Sequence, residues 1–246
     1  DFCLSRGLGD VYKRQRLPRS LEPPIEMASR KPLTAGPLVC DIDRHHDHLL
    51  VLDIDEVVLQ FIDPFVALLA EVGAHLKPDS FRLTGQVRSQ STGAALGGEE
   101  LKGLMHRLYE EQAVRQVPVA GVVDALERLA GQADIVFLTA MAPHWHQTRR
   151  LHLDASGLPY PMIATERDKG AVICELQERW QGTIVFVDDL PSNLEKVRRS
   201  APQTRLLHLM ASSLFWPYLP GLPQGVTSAR TWQEAEDRIG RLLSGE

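Results

Sequence analysis

Short apolar runs recur along the chain from His48 onward, and most of them end at an acidic, hydroxyl or small residue. Longer amphipathic segments separate these runs. Runs of four to six apolar residues are typical of strands buried on both faces, and parallel strands need long crossover connections, which helices usually supply. The alternation therefore predicts an α/β fold in which helices flank a parallel sheet. The predicted strands cover residues 49–53, 135–139, 160–164, 184–188 and 205–210.

Start and stop signals mark the helices between these strands. Gly131 and Gly157 end two amphipathic segments, because glycine readily adopts the left-handed conformation that often closes a helix. Asp168 is a predicted cap for a further helix, and another begins at Pro191. A last predicted helix follows Thr231, which forms a capping box with the glutamate three residues later.

Composition narrows the classes of function. The 246 residues carry 27 Lys and Arg against 32 Asp and Glu, a formal net charge of -5. This balance lacks the basic excess of proteins that grip nucleic-acid backbones or anionic membranes, so we expect a small-molecule partner. The three cysteines show neither metal-ligand nor disulfide spacing, which favours a reducing, cytoplasmic location. The sequence leaves the oligomeric state open.

Residues 1–47 precede the first predicted strand and are rich in proline, charge and small side chains, so we predict a disordered leader there. Part of residues 1–16 resembles translated adaptor DNA, so we do not expect these residues to belong to the fold, and Met27 is a candidate initiator. An Asp-x-Asp pair at Asp41 and Asp43 lacks a long apolar strand before it. We predict that this pair is structural or disordered.

Four polar residues lie where predicted strands end or a predicted helix begins. Asp53, Thr139 and Asp188 each close an apolar strand, and Lys169 opens a helix. The carboxyl ends of parallel strands share one edge of a sheet, and open α/β sheets bind ligands at that edge. We therefore expect two acids, a hydroxyl and an ammonium group to meet in one crevice.

Carboxylates at this edge suit a magnesium site. Asp53, Asp188 and Asp189 supply the hard oxygen ligands that Mg²⁺ selects, and a divalent cation would relieve the repulsion among them. Asp53 can then attack phosphorus to form an aspartyl-phosphate, which divides ester cleavage into two easier steps. The sequence thus predicts a phosphohydrolase with Asp53 as its nucleophile.

Three further residues complete the predicted chemistry. Asp55 lies two residues after the nucleophile, where it can protonate the leaving oxygen and later activate water. Thr139 can donate a hydrogen bond to a phosphoryl oxygen, and Lys169 can place positive charge beside the phosphate.

Four segments in order resemble the motifs of the haloacid dehalogenase-like (HAD) hydrolase superfamily. Residues 49–58 are similar to its first motif, residues 135–139 to its second, Lys169-Gly170 to its third and residues 184–189 to its fourth. The resemblance, which spans residues 49–210, implies a Rossmann-like sheet of order 5-4-1-2-3 and a Mg²⁺ cofactor. The roles that it implies agree with those above: Asp53 as nucleophile, Asp55 as acid/base, Thr139 and Lys169 as phosphate ligands, and a metal site of Asp53, the Asp55 backbone carbonyl, Asp188 and Asp189, the last directly or through water.

The chain departs from the family pattern at the substrate mouth. Glu56 stands where phosphatases of this superfamily commonly carry a small residue such as glycine, so we expect it to alter the mouth or the turnover. Asn193 stands where the fourth motif often continues, which leaves the metal ligands beyond Asp188 open. Asp55 disfavours dehalogenation, because members that cleave carbon–halogen bonds generally lack this second acid.

About 60 residues separate the first motif from the next core helix, which is too long for a simple connection and suits an inserted lid. We predict a catalytic core of residues 48–59 and 119–246 and a small helical cap of residues 60–118. The cap is expected to supply substrate contacts from polar residues such as Arg82 and Arg88, and His144 is a further candidate from the core.

The predicted function is hydrolysis of a small phosphorylated metabolite. Two alternatives stay open. The first is a phosphotransferase or a phosphatase of nucleotides or nucleic-acid ends, and the acidic charge weighs against polymer substrates. The second is a non-catalytic homologue that binds a phosphate ligand, against which the presence of Asp55 and Lys169 weighs.

Overall fold

The structure, a computed structural model, describes residues 32–245 and is built around a seven-stranded sheet with a separate two-stranded sheet. The strands in chain order are β1 (Thr34–Ala35), β2 (Leu49–Leu52), β3 (Ala74–Leu76), β4 (Val87–Ser89), β5 (Asp134–Thr139), β6 (Met162–Thr165), β7 (Ile184–Asp188), β8 (Arg205–Leu209) and β9 (Thr227–Ala229). The helices are α1 (Ile62–Glu71), α2 (Gly98–Glu110), α3 (Gln112–Arg115), α4 (Val122–Leu129), α5 (His146–Ala155), α6 (Lys169–Gln177), α7 (Pro191–Ser200) and α8 (Trp232–Ser244).

The main sheet runs in the order β1-β6-β5-β2-β7-β8-β9. All neighbouring strands are parallel except β1, which is antiparallel to β6. The five strands anticipated from the sequence form its middle and, numbered by their order along the chain, read 5-4-1-2-3. The predicted α/β class with a Rossmann-like sheet is therefore confirmed, and two short edge strands extend it.

Strand β2 lies at the centre and separates two hydrophobic cores. Leu50 and Leu52 face a core that includes α4 and α8, whereas Leu49 and Val51 face a core that includes α6 and α7. Successive side chains of a strand point to opposite faces, so a run that is apolar at every position is buried on both sides. None of the helices within residues 32–245 is long and apolar enough to cross a membrane.

The segment between β2 and α4 has a hydrophobic core of its own. Helices α1 and α2 pack together there, and β3 pairs with β4 in an antiparallel hairpin. The sequence predicts helices in this region but not the hairpin. Met210 and Phe215, which follow β8, also belong to this third core, so the inserted segment packs directly on the main domain.

Residues 32–47, which we predicted to be part of a disordered leader, are folded against the sheet. Thr34 pairs with Thr165 of β6, and the Ile42 side chain is buried in a core. Gly36 makes this approach possible, because its φ is +116° and a Cβ there would lie 2.2 Å from the Met162 carbonyl oxygen. The prediction was wrong for these residues, because Thr34–Ala35 completes the edge of β6. The rest of the predicted leader, residues 1–31, lies outside the described residues.

Glu56 fixes the turn that follows β2. Its backbone has φ +66°, an unusual value for a residue other than glycine. The buried carboxylate accepts hydrogen bonds from the Phe61 and Ile62 N–H groups at 2.8 and 2.6 Å, and from the Ser212 N–H at 2.7 Å. Glu56 thus caps the start of α1 and ties it to the loop after β8.

Replacing Glu56 should destabilise the protein. In Glu56→Gln the side-chain amide must face at least one of the three buried N–H donors, so we expect a loss of about 1–3 kcal/mol in the free energy of unfolding, measured by urea titration. Glu56→Gly should be less destabilising than Glu56→Ala by about 1 kcal/mol, because glycine accepts the positive φ without strain. An unfolding midpoint for Glu56→Gln equal to that of the wild type would contradict this role.

Candidate active site

Three acidic side chains meet at the carboxyl ends of β2 and β7. Leu52 pairs with Val187 in the parallel ladder, so Asp53 and Asp188 lie level with each other on adjacent strands. Asp189 is the next residue along the chain. One oxygen from each of the three carboxylates lies within 4.8 Å of the others, and all three side chains are buried. The strand register therefore produces a compact acidic cluster.

Lys169 neutralises part of this cluster. It is the first residue of α6, which the Asp168 side chain caps by accepting a hydrogen bond from the Gly170 N–H. The Lys169 Nζ lies 2.9 Å from Asp53 Oδ1 and 2.7 Å from Asp188 Oδ2. The ammonium group is buried between the two acids, so it restrains the nucleophile predicted at Asp53.

One ammonium group does not balance three buried carboxylates. Burial raises the pKa of Asp53 to about 7, although Lys169 opposes this shift. Burial, with the charges of Asp188 and Asp53, raises the pKa of Asp189 well above its usual range. A divalent cation would neutralise the charge that Lys169 leaves unbalanced, and carboxylate oxygens are the ligands that Mg²⁺ prefers. The donor set therefore fits a magnesium ion.

Neighbouring groups fix the orientation of Asp188. Its Oδ1 accepts a hydrogen bond from the Leu190 N–H at 2.9 Å, and the Asn193 side-chain amide donates to Oδ1 and Oδ2 at 3.1 and 3.2 Å. Asn193, which the sequence left open as a site residue, thus holds a carboxylate of the acidic cluster through its NH₂ group.

Asp55 lies among polar groups from three other segments. Its Oδ1 accepts hydrogen bonds from Arg149 Nη2 at 3.1 Å and from Gln116 Nε2 at 3.0 Å. The Tyr109 hydroxyl donates to Oδ2 at 3.3 Å. Arg149 belongs to α5, Gln116 to the segment that returns to the core, and Tyr109 to α2 of the insertion. The predicted proton shuttle is therefore positioned from outside its own strand.

Two other predicted site residues differ in their surroundings. Thr139 closes β5 and is buried at the same sheet edge, where its Oγ1 accepts a hydrogen bond from the Met141 N–H at 3.2 Å. His144 lies in a 3₁₀ turn, and its ring contacts are with His106 and Trp145. Thr139 thus shares the edge of the acidic cluster, whereas His144 contacts the inserted segment.

Glu56, the remaining candidate site residue, stabilises the turn after β2. Both of its oxygens accept main-chain hydrogen bonds, as described above. We expected this residue to alter the substrate mouth. The structure shows that both carboxylate oxygens accept hydrogen bonds at the start of α1 and after β8, which gives the departure from glycine a structural explanation.

Several side chains of the inserted segment contact the core. The Tyr109 hydroxyl reaches Asp55, and the His106 ring packs edge-on against Trp145 with 4.7 Å between ring centroids. On the opposite side Phe81 packs edge-on against Phe215 at 5.9 Å. The predicted contact residues Arg82 and Arg88 are exposed and bond within the insertion.

Comparison with solved structures assigns the fold. The chain is similar to a conserved haloacid dehalogenase-like protein of unknown function from Agrobacterium tumefaciens, with 14% identity, a TM-score of 0.56, and 80% of this chain and 99% of that chain covered. The chain has the fold of the haloacid dehalogenase-like hydrolases. The resemblance drawn from the four motifs is therefore confirmed at the level of the fold.

Two more structures agree with this HAD-like fold. A putative beta-phosphoglucomutase from Thermotoga maritima matches with 13% identity and a TM-score of 0.51, and covers 80% of this chain and 100% of that chain. The putative HAD hydrolase YfnB from Bacillus subtilis, solved with magnesium and described as showing interdomain movement, matches with 14% identity and a TM-score of 0.53 over the same shares. No family model and no curated protein matches the chain.

The groups that surround Asp55 were not predicted from the sequence. Arg149 is followed by a second arginine on an amphipathic helix, and Gln116 and Tyr109 lie in a polar stretch. In the sequence, these three residues cannot be distinguished from polar residues on an exposed surface. The one usable signal is that Gln116 immediately precedes Val117-Pro118, where the insertion returns to the core.

Magnesium binding to the acidic cluster should weaken as the pH falls. The cation must displace protons from carboxylates with raised pKa, so we expect affinity to decrease between pH 8 and pH 6, by about tenfold per pH unit for each proton displaced. Isothermal titration calorimetry with MgCl₂ checks this. Asp189→Asn should bind more weakly, whereas the exposed Asp43→Asn should match the wild type. Equal affinities at pH 6 and pH 8 would refute the expectation.

Proposed function

We propose that this chain is a magnesium-dependent phosphohydrolase that cleaves a small phosphomonoester through an aspartyl-phosphate on Asp53. The observation that carries the proposal is the Lys169 bridge, in which one buried ammonium contacts both Asp53 and Asp188. The HAD-like fold supports the proposal, as does the magnesium bound to the neighbour YfnB. Asp53, Asp188 and the Asp55 backbone carbonyl would hold the ion, with Asp189 as a direct ligand or through water.

The proposed reaction has two half-reactions. In the first, an oxygen of Asp53 attacks phosphorus, the bond from phosphorus to the ester oxygen breaks, and Asp55 gives its proton to the departing alcohol. In the second, water attacks the same phosphorus, Asp55 takes the proton from the water, and the bond to Asp53 breaks to release phosphate. Bound magnesium would neutralise charge on a phosphoryl oxygen.

Lys169 and Thr139 are the proposed phosphate ligands. The Lys169 ammonium already contacts Asp53 Oδ1, so it would stabilise the negative charge that spreads over the phosphoryl oxygens as they approach. Thr139 lies at the end of the neighbouring strand, from which its hydroxyl can donate a hydrogen bond to a phosphoryl oxygen of the substrate. Both groups are buried, which strengthens their interaction with a charged ligand.

Asp55 can act as the proton shuttle through Oδ2. Its Oδ1 is held by Arg149 and Gln116, whereas the Tyr109 hydroxyl makes the longest of the three contacts with this carboxylate, at 3.3 Å to Oδ2. Tyr109 belongs to the inserted segment, which we propose acts as a cap of residues 60–118. Substrate entry then requires the cap to move and to withdraw Tyr109 from Asp55.

The decisive test is magnesium-dependent release of phosphate from p-nitrophenyl phosphate. We expect Asp53→Asn to reduce the rate at least about 10³-fold, because it removes the nucleophile, and EDTA to abolish turnover in the wild type. Asp43→Asn is a matched control, since it makes the same chemical change in the other Asp-x-Asp pair. Its rate should equal that of the wild type.

A wild-type protein that binds Mg²⁺ and inorganic phosphate but cleaves no ester in a broad panel would overturn this proposal. Such a result would favour a phosphate-binding homologue. Appearance of phosphate on an added alcohol instead of free phosphate would favour a phosphotransferase.

A further inference from the structure

Arg149 is a fully buried arginine beside the proposed proton shuttle. Its Nη2 donates to Asp55 Oδ1 at 3.1 Å and to Gln116 Oε1 at 3.0 Å. The guanidinium carbon lies 5.6 Å from the centre of the Tyr109 ring. These contacts fix the plane of the guanidinium group next to the carboxylate that would protonate the leaving oxygen.

The rest of this guanidinium lacks acceptors. Arginine carries five N–H hydrogens, and the two on Nη2 serve Asp55 and Gln116. The buried Nε and Nη1 have no hydrogen-bond partner among residues 32–245. A buried charged donor without an acceptor is costly, so such a group calls for a ligand that the protein itself does not supply.

The charge of Arg149 has a counter-charge beside it. Among the described residues, its ion-pair partner is Asp55 alone. The same Asp55 oxygen also accepts a hydrogen bond from Gln116 Nε2. A buried charge with few partners is unfavourable, so a second anion beside the guanidinium would stabilise it.

Gln116 holds Arg149 in place without neutralising it. The Gln116 Nε2 donates to Asp55 Oδ1 and to the Gln60 carbonyl oxygen, both at 3.0 Å, which directs its Oε1 toward Arg149. The His152 Nε2 contacts the Gln116 carbonyl at 2.8 Å. Because a carbonyl only accepts, the proton of the neutral His152 ring lies on Nε2. The arginine is therefore preorganised.

We propose that Arg149 binds a second anionic group of the substrate, carried on the leaving alcohol close to the ester oxygen. This inference rests on the proposed function and narrows its substrate class to phosphate esters with a nearby carboxylate or second phosphate. The planar fork of arginine matches either oxyanion. Such a group supplies acceptors for Nε and Nη1 and a second negative charge beside the buried guanidinium.

Matched esters test the proposal. Phosphoglycolate carries a carboxylate, ethylene glycol bisphosphate carries a second phosphate, and ethyl phosphate carries neither. In the wild type we expect kcat/KM for at least one anionic ester to exceed that for ethyl phosphate by about 10- to 100-fold, the value of a charged hydrogen bond. The preferred ester identifies which oxyanion the site takes.

Arg149→Met should abolish this preference by raising KM for the anionic ester far more than for ethyl phosphate. Arg149→Lys keeps the charge but not the planar fork of donors, so this variant should retain part of the preference for the anionic ester. A wild type that prefers ethyl phosphate, or an Arg149→Met variant that lowers kcat/KM equally for all three esters, would overturn the proposal. Retained binding of inorganic phosphate and an unchanged circular dichroism spectrum would show that the variant is folded.

Binding separates this inference from the proposed function. In Asp53→Asn with Mg²⁺, calorimetry should show tighter binding of the anionic ester than of ethyl phosphate, and Arg149→Met in that background should remove the difference. If the wild type cleaves no ester but this difference is present, the proposed function fails and the anion site stands. If the wild type cleaves esters but binding shows no difference, the anion site fails alone.

Discussion

The buried bridge from Lys169 to Asp53 and Asp188 is the interaction around which the rest of the site is arranged. A charged ammonium group is strongly unfavourable in the interior unless acids lie beside it, and a cation between these acids relieves their mutual repulsion. The bridge therefore fixes the start of α6 against the ends of β2 and β7. It also leaves Asp189 without a comparable counter-charge, which explains why the site suits a further cation.

The central sheet could be predicted because each of its strands carries its own signal. Leu49 to Leu52 are apolar at every position, which requires burial on both faces. The edge strands differ. Thr34–Ala35 has two residues and Thr227–Ala229 has three, and neither shows an apolar run. These strands exist because β6 and β8 offer unpaired backbone groups, a property of the assembled sheet that local sequence does not report.

The residues of the proposed site differ in the same way: some carry a local sequence signal, and others meet only through the packing of the assembled fold. Asp53, Asp188 and Lys169 could be predicted to meet because strand ends and helix starts share one edge. The pair of Arg149 with Asp55 joins residues 94 positions apart, and its geometry depends on how α5 and the insertion pack. The contacts of Glu56 also depend on the folded backbone. The departure from glycine predicts an altered substrate mouth, whereas only the backbone conformation shows that the carboxylate faces the N–H groups at the start of α1.

The surroundings of Asp55 also couple chemistry to the position of the inserted segment. The chain segments that enter and leave the insertion are hydrogen-bonded to each other. The Gln60 N–H donates to the Val117 carbonyl, and the Val119 N–H donates to the Val58 carbonyl. Gln116 immediately precedes this pairing and contacts both Asp55 and Arg149. Tyr109, which also contacts Asp55, lies within the insertion itself. The surroundings of Asp55 and of Arg149 therefore both depend on the position of the insertion.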